Sequence, residues 1–230
     1  MKIDILTLFP EMYTNIFNTS IIKRAIDNNL VEINIINFRD YSKDSHNKVD
    51  DTPYGGGSGM VLRIEPIYDA INAIKTKDSK VVLLSPTGSL YKQEVALKLS
   101  RLKHLILICG HYEGFDERIN NLVDYSLSIG DYILTGGEIP SMVIVDSVTR
   151  LLDGAITKES LDSESFNDNL LDYPVYTKPR EFKGMKVPDV LLSGNHQKIE
   201  IYRREQQIKK TKENRSDLLV KGSEIDAKDK

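Results

Sequence analysis

Two stretches concentrate the residue types from which a ligand site can be built: Cys109-Gly-His-Tyr-Glu-Gly-Phe-Asp-Glu-Arg118 and Ser128-Ile-Gly-Asp-Tyr-Ile-Leu-Thr-Gly-Gly-Glu138. Each places glycine and a carboxylate where an apolar run gives way to a loop. In an open α/β sheet, small ligands bind at the carboxyl ends of strands. Glycine there lets main-chain amides and carbonyls approach a ligand with no side chain between them. Two such loops, ten residues apart, imply one pocket made largely of backbone.

Other segments add to this. Asp50-Asp-Thr-Pro-Tyr-Gly-Gly-Gly-Ser-Gly-Met60 is rich in glycine but matches neither the Walker A nor the dinucleotide fingerprint. It reads either as a flexible turn or as a backbone surface for a phosphate or base, with Asp50 or Asp51 as acceptor. Ser85-Pro-Thr-Gly88 ends another strand and would lie beside the Gly110 and Gly130 loops. Arg150 closes an apolar helical pattern, where it serves either the helix dipole or charge developing on a substrate. Glu164, Asp168 and Asp172 are carboxylates of a polar segment, solvated or available as a general base. The four histidines and the single Cys109 show no zinc-ligand spacing. No Gly-x-Ser-x-Gly elbow is present either.

These residues need a scaffold. Strands are expected at Ile3–Phe9, Val31–Phe38, Val81–Ser85, Leu105–Cys109 and Tyr125–Ile129, with a further one at Tyr132–Leu134. Helices are expected near Met12–Asn29, Glu65–Ile74, Lys92–Ser100, Asp116–Val123 and Ile139–Leu152. Such alternation argues for an α/β fold with a mostly parallel sheet. Val81-Val-Leu-Leu84 and Leu105-Ile-Leu-Ile108 are continuously apolar, as strands covered on both faces should be. Three parts are expected: a domain over 1–156, a flexible linker over 157–172 and a C-terminal domain over 173–230. In the last, Val187–Leu192 is short and apolar, and Gly194-Asn-His196 is expected to cap a helix.

No apolar run approaches the ~20 residues that cross a bilayer, so no membrane partner is expected. The lone cysteine fits a reducing, cytoplasmic setting. The net charge is −3. Lys178 to Arg215 holds 11 Lys/Arg against 5 Asp/Glu, a balance of +6 that leaves −9 for the remainder. A basic segment on an acidic body suits contact with a polyanion, and equally a solvated helix face.

Taken together, the motifs resemble the bacterial tRNA (guanine-N(1))-methyltransferase family, TrmD, of the SPOUT superfamily. The likeness runs from Leu8-Phe-Pro10 through Val49-Asp-Asp-Thr-Pro-Tyr-Gly-Gly-Gly57, Gly110-His-Tyr-Glu-Gly114, Ser128-Ile-Gly-Asp-Tyr132 and Leu134-Thr-Gly-Gly-Glu138. It continues through Leu170-Leu-Asp-Tyr-Pro-Val-Tyr-Thr-Lys-Pro179 to Val187-Pro-Asp-Val-Leu-Leu-Ser-Gly-Asn-His196. The resemblance implies a deep trefoil knot, a homodimer and a small helical C-terminal domain that grips tRNA. It also implies S-adenosylmethionine as methyl donor, magnesium during transfer, and methylation of the guanosine immediately 3′ of the anticodon. Alternatives are a related methyltransferase acting on another nucleotide, and a non-catalytic RNA-binding protein.

Carried over residue by residue, the resemblance assigns donor contacts to Pro86, Gly88 and Gly110. To these it adds the run Ile129, Gly130, Asp131, Tyr132, Ile133 and Leu134, followed by Gly136 and Gly137. Arg150 matches the family arginine that faces the target base. The family's catalytic aspartate precedes Ser-Phe; here Glu164-Ser-Phe166 keeps the carboxylate on a stem one methylene longer, with Asp168 and Asp162 as substitutes. Asp50 and Asp172 are expected to contact substrate. Arg203, Arg204 and Lys209 are expected to meet the tRNA backbone. No protein metal site is assigned.

Overall fold

The protein, in a computed structural model, is described over residues 1–157, 160–161 and 164–219. Asp162 and residues 220–230 of the expected C-terminal domain lie outside these. The chain divides into two compact units, 1–156 and 157–230.

The first unit is built on a five-stranded parallel sheet in the order β2-β1-β6-β5-β7. The strands are β1 (Lys2–Thr7), β2 (Glu32–Asn37), β5 (Ser79–Leu90), β6 (His104–Ile108) and β7 (Tyr125–Ser128). Because strand side chains alternate between faces, β6 feeds two cores. Leu105 and Leu107 pack with Ile144, Val145 and Val148, while Ile106 and Ile108 pack with Ile67, Ala70 and Ile71. All five β6 residues are buried, as in a strand covered on both sides. The covering helices are α1 (Ser20–Asp27), α2 (Ile64–Ile74), α3 (Gln93–Leu99) and α4 (Glu138–Thr149). A short hairpin, β3 (Asp50–Asp51) with β4 (Val61–Leu62), carries the glycine-rich loop.

Several expectations are corrected. Tyr132–Leu134 is not a strand: it makes no ladder, and the Tyr132 amide turns back to the Gly130 carbonyl at 3.0 Å. Met12–Asn29 is not one helix. Pro10–Tyr13 is a 3₁₀ turn, Ser20 has φ 55°, and only Ser20–Asp27 is α-helical. Asp116–Val123 reduces to a 3₁₀ turn at Glu117–Asn121. The expected strand at Val81–Ser85 is longer, with a bulge in it. Leu84 and Ser89 both stand opposite Leu127, so Ser85–Gly88 loop out between two pairings with β7.

The second unit has an extended stretch before a hairpin of β8 (Glu181–Phe182) and β9 (Met185–Lys186). Two helices follow, α5 (Asp189–Leu192) and α6 (His196–Asn214). The apolar run Val187–Leu192 is therefore largely helical. Asn195 caps α6, its side chain accepting from the Lys198 amide at 3.1 Å.

Candidate active site

At the carboxyl ends of β5, β6 and β7 three loops enclose a cleft of about 340 Å³. Of the residues expected to meet a donor, the cleft is lined by Pro86 from the first loop and Gly110 from the second. From the third come Ile129, Gly130, Tyr132, Ile133 and Leu134, with Gly136 and Gly137 at its end. Gly88 and Asp131 do not line it.

The glycines have a structural reason that the sequence did not disclose. A Cβ on Gly88 would lie 2.5 Å from the Leu127 amide nitrogen, and one on Gly137 would lie 2.6 Å from Cys109 Cα. They allow one loop to be laid against another strand. The Gly137 amide donates to the Gly110 carbonyl at 2.8 Å, tying the third loop to the second. Between these ties, the amides of Ile133 and Leu134 have no hydrogen-bond partner among the described residues. They are donors available to a ligand.

The Gly110 loop contributes more than its glycine. His111, Tyr112, Glu113 and Phe115 also line the cleft, as do Thr135 and Pro140. His111 lies 4.8 Å from the Phe9 ring and 5.3 Å from Tyr112, centroid to centroid. Tyr112 is held at φ 59°, a strained backbone of the kind found at functional sites. Glu113 packs over Gly59, where a Cβ would lie 2.4 Å from its Cγ, and its amide donates to the Met60 carbonyl at 3.0 Å. The glycine-rich loop is thereby sewn to the cleft. Sequence reasoning took only Gly110 from this motif, although the carboxylate of Glu113 beside it was the signal for more.

Behind the cleft lies a buried polar network. The Thr7 hydroxyl donates to Glu138 Oε1 at 2.7 Å, and Ser141 Oγ donates to the Glu138 carbonyl at 2.6 Å. Tyr13 shares hydrogen bonds with Ser141 Oγ at 2.7 Å and Cys109 Sγ at 3.4 Å. Burial pushes the Cys109 thiol up to about 12. Burial first, and then the Cys109 charge, pushes the Tyr13 phenol far above its ordinary value. Cys109 is a buried, protonated core residue and no nucleophile.

The other expected residues are placed as follows. Asp50 is half-buried in β3, paired opposite Leu62. Arg150 caps the far end of α4. Gly137 and Arg150 flank this helix, so roughly 1.5 Å of rise per residue sets them about 20 Å apart. Within one copy, α4 therefore holds Arg150 away from the cleft.

In the second unit, Glu164 is half-buried and its amide donates to the Leu161 carbonyl at 3.3 Å. Phe166, Asp168 and Asn169 have φ of 74°, 49° and 56°, a tightly curled and strained loop. The Phe166 amide closes it on the Leu170 carbonyl at 2.6 Å. Ser165 Oγ accepts from the Asp172 amide at 2.9 Å. Arg203, Arg204 and Lys209 are exposed on α6. At about 100° per residue they project in three directions and not along one stripe. Arg203 stacks on Tyr173, 4.7 Å from the ring centroid. Among the described residues no group of three or more His, Cys, Asp or Glu is placed to hold a metal ion.

Known proteins agree with the motif pattern. The family model described as tRNA (Guanine-1)-methyltransferase TrmD matches residues 1–221. A protein of Malacoplasma penetrans named tRNA (guanine-N(1)-)-methyltransferase is 65% identical over 221 residues, covering 96% of this chain and 98% of that protein. Its namesake in Ureaplasma urealyticum is 60% identical over 222 residues, covering 96% and 97%. That of Dictyoglomus turgidum is 55% identical over 224 residues, covering 97% and 91%. The chain belongs to the tRNA (guanine-1)-methyltransferase family, TrmD.

Proposed function

We propose that this protein methylates N(1) of guanosine in tRNA, at the position immediately 3′ of the anticodon, with S-adenosylmethionine as donor. The observation that carries the reading is the three-loop cleft in a chain of this family. Its volume is in the range of small-molecule sites. Pro86, Ile129, Leu134 and Pro140 offer apolar walls for a purine. The amides of Ile133 and Leu134 offer unused donors to its ring nitrogens. The residues present thus fit an S-adenosyl nucleoside.

Bound there, the donor supplies an electrophilic methyl group on a sulfonium. A guanine N(1) that carries a proton is a poor nucleophile, and Glu164 is assigned the removal of that proton. Arg150 offsets the negative charge that spreads to the exocyclic oxygen. The cleft needs no strong charge of its own, because its task is to orient the donor. Asp50 and Asp172 are assigned to the substrate, and Arg203, Arg204 and Lys209 to its phosphates. Asp168 and Asp162 stand as the alternative bases. Magnesium stays in the proposal without a ligand set. Among the described residues no group of three or more His, Cys, Asp or Glu is placed to hold it.

The α4 separation supports a homodimer in which one copy supplies the cleft and the other Arg150 and the segment 157–172. Ile139 and Val143, four residues apart on α4, are 47% and 41% exposed, an apolar pair suited to a partner. A deep trefoil knot is proposed from membership of this family. Residues 173–230 are assigned as the tRNA-gripping domain. No helix among the described residues is long and apolar enough to cross a membrane, and the proposed setting is the cytoplasm, with tRNA.

The test is methyl transfer from labelled donor to a tRNA transcript, followed by mass analysis of its nucleosides. The expected product is 1-methylguanosine, lost when the target guanosine is replaced. A different methylated nucleoside, or none, overturns the reading.

A further inference from the structure

A second cleft, of about 480 Å³, lies wholly within the second unit, between the extended stretch 173–180 and helices α5 and α6. Its floor is aliphatic, with Val187, Leu191, Leu192 and Ile199. Two tyrosines, Tyr173 and Tyr176, supply aromatic faces, and its charged lining is Lys178, Arg180 and Arg203. No carboxylate lines it. Val175 and Tyr176, both in its lining, are 77% and 48% exposed, so their apolar surface is open to a ligand.

We infer that this cleft seats one unstacked nucleotide of the bound RNA, its base against Tyr176 and the aliphatic floor and its phosphate among Lys178, Arg180 and Arg203. The inference rests on tRNA being the substrate and adds a base-binding site away from the donor cleft. A nucleotide is the occupant that uses every part of the lining: a flat apolar ring joined to a negative charge. An apolar peptide would leave the three cations unmatched, and duplex phosphates alone would leave the tyrosines unused. Aromatic stacking is how proteins hold unpaired bases without reading their identity.

Arg203 is central to the arrangement. Its guanidinium already stacks on Tyr173 at 4.7 Å, which fixes it at the cleft wall. Tyr202 on α6 is close enough to Tyr176 that its phenol is raised above its ordinary value first by burial and then by the Tyr176 phenol. Arg204, about 100° further round α6, points elsewhere.

The test uses the full chain and a tRNA transcript, with binding followed by fluorescence anisotropy across a potassium chloride series. Tyr176→Ala should weaken binding about 5- to 100-fold, the worth of one stacked base, and leave the salt dependence unchanged. Tyr176→Phe should bind as the parent does. Arg203→Gln should lower the magnitude of the salt slope by about one. In a scan of abasic substitutions along the anticodon arm, one position should weaken binding to the parent protein and have no further effect on Tyr176→Ala. Parent binding with Tyr176→Ala unaffected, or no abasic position masked by it, overturns this inference and leaves the methyltransferase reading standing. A change only in oligomeric state of Tyr176→Ala makes a second copy the occupant and also overturns it. Failure of the parent to bind tRNA at all overturns the functional reading itself.

Discussion

The hydroxyl of Thr7, at the end of β1, donates a 2.7 Å hydrogen bond to Glu138, the first residue of α4. Both side chains are buried. A carboxylate at a helix start is favoured by the exposed amides there. Buried, it also needs a donor. The bond joins the end of β1 to the helix that closes the cleft, directly after Gly136 and Gly137. Thr7→Val keeps the shape and removes the donor. It should cost about 1–3 kcal/mol in denaturant unfolding and weaken donor binding with it. Unchanged stability would show that the carboxylate is satisfied elsewhere.

The close chain passages make a second prediction. Gly88→Ala and Gly137→Ala each force a methyl group to within 2.6 Å of backbone, which only movement of a strand or loop can relieve. Each should lower stability by about 1–3 kcal/mol, as overpacking does. Each should also weaken calorimetric binding of S-adenosylmethionine, although Gly88 does not line the cleft. Normal binding by both variants would detach these passages from the donor site.

Alkaline pH supplies a third. The Cys109 thiol is pushed up to about 12, and the Tyr13 phenol is raised as well, burial leading in both cases. The folded chain holds these protons more tightly than the unfolded chain. Their contribution is therefore complete below the ordinary thiol value, about 8.5, and is lost as pH rises toward 12. Stability should decline over that window, less steeply in Cys109→Ala. In the native protein at pH 8 the thiol should resist aromatic disulfide reagents and react at once in guanidinium. Rapid native labelling would contradict the burial.

Much of this was legible in the sequence because it depends on neighbours along the chain. The continuous apolar run of β6 announces burial on both faces, and Gly110 and Gly130 mark where strands end. Other features depend on distant residues. Tyr132–Leu134 has β-forming residue types, yet the turn at Gly130 and the tie from Gly137 to Gly110 make it a loop. Asp4 interrupts an apolar strand for a reason 100 residues away: His104 Nε2 lies 2.8 Å from its carboxylate, and Ser79 Oγ lies 2.7 Å from His104 Nδ1. The bulge at Ser85–Gly88 exists only because β7 pairs on both sides of it. Glu113 was overlooked since its contact, Gly59, belongs to another motif.

The family arginine, the donor cleft and the helix near Ile139–Leu152 were all named from sequence, but not the distance that this helix sets between the other two. Their separation leads to the most direct test of the account, a mixing experiment. Ile133→Arg should block the cleft, and Arg150→Ala should remove the cation. Each variant alone should lose about 100-fold or more in methyl transfer to tRNA. Unfolded and refolded together in equal amounts, they should recover about a quarter of parental activity, because half the dimers are mixed and each mixed dimer has one intact site. Mixed dimers that form but stay as inactive as either variant would contradict a site shared between two copies.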